Sequence, residues 1–104
     1  MLAIKHLVCY MKDEIEGVKQ YSIEALKYKT SRPELAQVYH EAAKAEMEHF
    51  NRLHEQAVKL ADEAEKSGKV IPKGMKEKYE YMHEQLIEKQ IEAKQFLDMF
   101  DNAM

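Results

Sequence analysis

The sequence predicts an all-α fold, a long antiparallel helical hairpin followed by a third helix. Three observations carry this expectation. Turn-formers are scarce, with 3 Gly and 2 Pro in 104 residues. Charged residues make up 34% and hydrophobic residues 45%, interleaved at helical rather than alternating spacing. The turn-forming residues that do occur fall together at two places, which divide the chain into three helical stretches. The length predicts one domain, residues 1–104, and leaves no room for a Rossmann fold, a TIM barrel or a two-domain enzyme.

The first helix is expected over about residues 2–29, with Ile4, Leu7, Met11, Val18, Tyr21 and Ala25 at helical spacing. Thr30-Ser31-Arg32-Pro33-Glu34 ends it and starts the next. Ser31 and Glu34 stand at capping-box spacing, and Pro33 is tolerated only in a first turn. The second helix is expected over about 32–66, with Leu35, Ala42, Leu53 and Leu60 on one stripe. Ser67-Gly68-Lys69-Val70-Ile71-Pro72-Lys73-Gly74 is the clearest break. A third helix is expected over about 73–100, using Met75, Tyr79, Met82, Leu86, Ala93, Leu97 and Phe100.

Composition excludes several classes of partner. With 16 basic and 19 acidic residues, a net charge of −3, the signs are mixed along the chain. There is no basic field for nucleic acid or for an anionic membrane. No stretch reaches the roughly 20 apolar residues of a membrane span. The first eleven residues lack the uninterrupted apolar core of a secretion signal. Cys9 is the single cysteine, so no intramolecular disulfide and no thiolate cluster can form, and a reducing, cytoplasmic setting is expected.

If the first turn centres on Thr30, an antiparallel hairpin sets residue i level with residue 60 − i. Leu7 then meets Leu53, Val18 meets Ala42, Tyr21 meets Tyr39 and Ala25 meets Leu35. Two adjacent layers break this apolar pattern, Glu14 opposite Glu46 and Met11 opposite His49. Glu46-Met-Glu-His49 is a Glu-x-x-His step, which puts a carboxylate and an imidazole on one helical face where both can reach one metal ion. The step is weak by itself in a chain this rich in Glu, and it occurs a second time as Glu80-Tyr-Met-His83. The first copy interrupts an apolar stripe, and Glu14 interrupts the stripe facing it. The second copy lies beside the stripe of its helix and reads as solvated. His6, His40 and His54 have no carboxylate at ligand spacing on the seam and are expected at the surface.

Burying an unpaired carboxylate costs several kcal/mol, and no Lys or Arg shares these stripes, so a divalent cation is the natural partner. The bland alternative is a narrower seam with Glu14 and Glu46 at its wet edge. One hairpin offers one Glu and one Glu-x-x-His, half of the carboxylate-bridged dinuclear site that a four-helix bundle builds from two of each. Two copies of the chain related by a two-fold axis supply the whole, and four carboxylates balance two divalent ions. Oxygen and imidazole ligands suit iron or manganese and do not exclude zinc.

These residues resemble a known family. Glu14 followed seven residues later by Tyr21, then Pro33-Glu-Leu35, then Glu46-Met-Glu-His49, is similar to the ferritin-like superfamily, in particular encapsulated ferritins and the diiron domain of rubrerythrins. The resemblance spans about residues 10–56. It implies a ferritin-like four-helix bundle completed by dimerisation, with Glu14, Glu46 and His49 as iron ligands and Tyr21 beside the site. It maps Glu16 to an accessory carboxylate near the iron entry path, although Glu16 falls with Lys12 and Lys19 on a polar face. It further implies ferroxidase activity, the oxidation of ferrous iron by dioxygen at a dinuclear centre shared between protomers. The chain departs from the family in three places. It has no rubredoxin-type Cys cluster, and Gln20 stands where encapsulated ferritins can carry an aromatic residue. The tail 96–104 is unlike the Gly-containing peptide that docks cargo in an encapsulin shell, which speaks against such a shell.

The expected function is thus a diiron ferroxidase working as a homodimer or higher homo-oligomer. Two others compete with it, a rubrerythrin-like peroxidase using the same centre and a metal-free helical oligomerisation or interaction protein. Tyr21 and Tyr39 lie about 10 Å along their helices from the ligand layer, where a core role competes with electron donation or shielding. Gly17, one turn from Glu14, costs a helix up to about 1 kcal/mol relative to Ala. Close approach of a partner helix and access for iron are two reasons for it.

Overall fold

A computed structural model of the protein describes residues 2–68 and 72–102. It contains three helices, α1 (Leu2–Tyr28), α2 (Pro33–Lys66) and α3 (Lys73–Asn102), and no strand among the described residues. Each boundary falls within two residues of the expected one. No described helix is long and apolar enough to cross a membrane.

The first connection is tighter than a capping box would make it. The Arg32 amide donates to the Tyr28 carbonyl at 2.8 Å, and the Ala36 amide donates to the Arg32 carbonyl at 3.0 Å. Arg32 is the N-cap, with no side-chain cap, and Pro33 opens the helix. Ser31 therefore stands one residue too early to cap. Proline at the first helical position removes one of the orphan donors that a cap would have satisfied. At the far end of α2, the Ser67 amide donates to the Glu63 carbonyl at 3.0 Å, and Gly68 follows at φ +71°. That left-handed step is open to glycine without a Cβ penalty and turns the chain out of the helix. Part of the expected break, Lys69 to Ile71, lies outside the described residues.

The hairpin α1–α2 is antiparallel in the expected register, with the Tyr21 and Tyr39 ring centroids 6.2 Å apart. The core stripe is rotated from the expected one. On α1 it runs Ile4, Val8, Met11, Ile15, Val18, Ser22, Ala25, and on α2 it runs Ala36, His40, Ala43, Phe50, all buried. Leu7 is half-buried, while Tyr21 and Leu35 are exposed. The cause is α3, which packs lengthwise on the same hairpin, chiefly along α1. It buries Leu86, Ala93, Leu97 and Phe100 as expected, while Met75 remains exposed. The core therefore forms where three helices meet, one step round from the two-helix seam. Each large apolar side chain buried there contributes about 1.5–3 kcal/mol, Phe50 being the largest that is wholly enclosed.

His40 departs from its expected surface position. It is 2% exposed, its ring stacked on Phe100 with centroids 4.0 Å apart. Its Nε2 lies 3.1 Å from Asp101 Oδ1, within ion-pair distance but without hydrogen-bond alignment. Lys29 Nζ donates to the Phe100 carbonyl and lies over the Phe100 ring. The C-terminal end of α3 is thus fastened across the turn of the hairpin, and this covers His40.

Candidate metal centre

With α3 on one face, the opposite face of the hairpin stays open, and there Glu14, Glu46 and His49 come together. One ligand atom from each lies within 4.8 Å of the others. The stripe Ala42, Glu46, His49, Leu53 lies beside the buried stripe of α2, and Glu14 and Tyr21 lie beside that of α1. The three ionisable groups sit at an edge, Glu14 and Glu46 half-buried and His49 exposed. Glu14 and Glu46 are at the expected level of the hairpin. His49 faces Glu14, with Nδ1 3.7 Å from Glu14 Oε2, rather than Met11, which is in the core. One turn of α2 separates Glu46 from His49, so both reach toward Glu14 from the same side.

The electrostatics of the cluster are those of a site lacking positive charge. The enclosed Glu14 Oε2 accepts no hydrogen bond from a neighbouring N–H or hydroxyl, since His49 stands beyond hydrogen-bond length, and a proton shared with Glu46 is what reaches this carboxyl. Among the described residues, no Lys or Arg forms an ion pair with Glu14 or Glu46. The Glu46 carboxyl is pushed up to about 7, first by its hydrogen bond with Glu14, then by burial and by the charge of Glu14, with His49 opposing. Two carboxylates this close hold a proton between them unless a cation takes its place.

Gly17 acquires a specific reason in this arrangement. A Cβ at that position would stand 2.9 Å from Glu46 Oε2 and 3.3 Å from its carboxyl carbon. Glycine leaves the space through which the Glu46 side chain crosses α1 to reach Glu14, so the occupant of the gap is a side chain of the same hairpin. The Gly17→Ala variant is expected to melt higher than the parent without metal, by up to about 1 kcal/mol, because alanine favours the helix and the carboxylate end can move aside. The same variant should bind ferrous or manganous ion more weakly, since the Glu46 oxygens are displaced. Thermal melts with and without metal check both signs.

The remaining candidates are placed elsewhere. Tyr21 belongs to a row of rings, 6.2 Å from Tyr39, which in turn lies 6.2 Å from Tyr28. Glu16 is turned toward α3 and meets Lys89 at 3.6 Å, on the face away from the cluster. Its neighbour on that face, Lys19, pairs with Glu92 at 2.9 Å. His54, expected at the surface, is half-buried, and burial followed by the nearby His83 holds its imidazole below the usual histidine range. His6 is exposed as expected.

Comparison of the chain with protein-family models, with curated proteins and with solved structures finds no match in any of the three.

Proposed function

We propose that the protein binds ferrous iron at Glu14, Glu46 and His49 and oxidises it with dioxygen, as a ferritin-like diiron protein whose site is completed by a second copy of the chain. One observation carries this reading: the enclosed Glu14 carboxylate, with no N–H or hydroxyl donor, converges with a second carboxylate and an imidazole. A divalent cation satisfies all three groups at once, and the mixed oxygen and nitrogen donor set suits iron or manganese. Two ferrous ions held there would give one electron each, which with two protons reduces one dioxygen to hydrogen peroxide and leaves two ferric ions.

The residues divide the work by position. Glu14 and Glu46, on facing helices, supply the negative charge that favours the higher oxidation state of the ion. His49 supplies a neutral nitrogen donor from the exposed rim, where the substrate enters. Gly17 keeps the Glu46 carboxylate pointed across α1. The open face on which they lie also carries Tyr10, Tyr21 and Leu35, all exposed. Such a surface is suited to a second hairpin, which would bring an identical Glu and Glu-x-x-His to the same centre and shield it from water.

Anaerobic ferrous titration followed by air, with mass measured under native conditions, tests the reading. Expected are about two irons per dimer and an absorbance change on oxidation that His49→Ala removes. Stoichiometric iron on a monomer would overturn the shared centre. Peroxide consumption much faster than dioxygen consumption would turn the assignment toward a peroxidase, and absence of metal in protein purified without chelators toward an interaction module.

A further inference from the structure

The second Glu-x-x-His step, Glu80 to His83, lies on α3, and the fold brings its histidine to another from α2. His54 Nε2 and His83 Nε2 are 2.9 Å apart. The ring centroids are 5.1 Å apart and the planes differ by 21°, so the rings approach end to end, nitrogen to nitrogen. One proton fits between them, donated by one imidazole and accepted by the other.

The pair stands in the wall of a cavity of about 450 Å³ between the start of α1, the second half of α2 and the start of α3. Ile4, Val8, Met11 and Leu86 give that cavity an apolar side, while Glu65, Glu80 and Lys76 are its charged lining. Two imidazole nitrogens from different helices make a donor pair unlike the first cluster, and Glu65 and Glu80 add negative charge to the same cavity. Imidazole favours late first-row ions, whereas magnesium and calcium prefer oxygen alone. In a tetrahedral zinc site, bonds of about 2.0–2.1 Å place two nitrogens roughly 3.3 Å apart. Replacing the shared proton by such an ion moves the nitrogens apart by a few tenths of an ångström and tilts each ring by about 35°, so that both lone pairs meet the ion off the line joining them, a turn that exposed His83 is free to make.

We propose that His54 and His83 form a second cation site, separate from Glu14, Glu46 and His49, which takes Zn²⁺ or a neighbouring late first-row ion and fastens α3 to α2. The consequence is mechanical. α3 lies chiefly along α1, and its touch on α2 is sparse. The C-terminal end of α3 is held at the hairpin turn by His40 and Lys29, and a cation between His54 and His83 holds the helix at its other half.

The test uses the full chain carrying Glu46→Ala and His49→Ala, which silences the first cluster, titrated with zinc chloride by calorimetry and followed by thermal melting. Expected are about one zinc per chain and a raised melting temperature. Adding His83→Ala should weaken zinc binding at least about tenfold and remove the rise, because one of two nitrogen ligands is lost. His83 is exposed, so that variant should melt as its parent does without zinc. Failure of the silenced chain to take up zinc, or uptake indifferent to His83→Ala, overturns the proposal. Either failure leaves the iron reading standing, since that is measured on a chain with Glu46 and His49 intact.

Discussion

The Glu46→Ala variant is expected to lose iron binding by at least about 100-fold, beyond the range seen when only outer-sphere partners are removed, and with it the oxidation signal. At pH 8 the same variant, freed of metal, should melt as high as the parent or higher. The pairing of these outcomes separates a ligand from a structural residue. A carboxylate that held the fold together would cost stability when removed. Glu46 instead crowds Glu14 in the metal-free chain, and its removal relieves that repulsion while giving α2 a better helix former. Differential scanning calorimetry with and without ferrous or manganous ion measures both arms. A variant that melts well below the parent without metal, yet binds the ion normally, would overturn the assignment.

The second large effect is a pH dependence of stability that metal abolishes. Glu46 titrates at about 7 in the folded chain against an ordinary value of 4.5. Between those two values the folded state holds a proton that the unfolded state has released, so stability falls as pH rises through this window. Glu46 is only half-buried, and solvent screening reduces the loss to about 1 kcal/mol. Metal binding must expel the same proton. Affinity should therefore rise with pH across the same window, by the same ~1 kcal/mol, roughly fivefold in all, and level off above it. Melts of the metal-free and the metal-loaded protein at pH 5, 6, 7 and 8 should diverge, the first descending and the second climbing relative to it. Parallel curves would show that Glu14 and Glu46 do not share a proton that the ion displaces.

The helices were legible because each is long, amphipathic and marked at its ends by Pro33 or Gly68. The level of Glu14 opposite Glu46 was legible because the first connection is short, which leaves the hairpin little choice of register. Which side of the seam is buried was not. Leu7 and Val8 are both apolar, as are Leu35 and Ala36, so the stripe can be drawn through either member of each pair. Packing of α3 decides between them, and that is a long-range fact carried by neither helix alone. The same ambiguity puts Tyr21 and Leu35 on the expected inward stripe, whereas both are exposed. His40 illustrates a second kind of blindness. Its burial depends on Phe100 and Asp101, some sixty residues away, which arrive only when α3 docks.

The pairing of His54 with His83 was hidden for a similar reason, since the level of α3 against α2 follows from no short turn. Gly17 differs from these. Its position one turn beyond Glu14 was visible, and an interior helical glycine asks for an explanation, but the explanation belongs to the side chain of Glu46. The signal was present in the sequence, and its meaning required the hairpin.

The protein is a rod with Cα extents of 56 × 17 × 17 Å. Half of that Cα width is about 8 Å, so wholly buried positions are confined to the line where the three helices meet, as at Val18, Ala43 and Phe50. Away from that line, on the open face, the hairpin gathers ligands without surrounding them with protein on every side. Depth at Glu14, Glu46 and His49 would come from outside the chain. Slenderness, as much as the number of carboxylates and imidazoles, makes the environment of a bound ion a property of what lies against the open face.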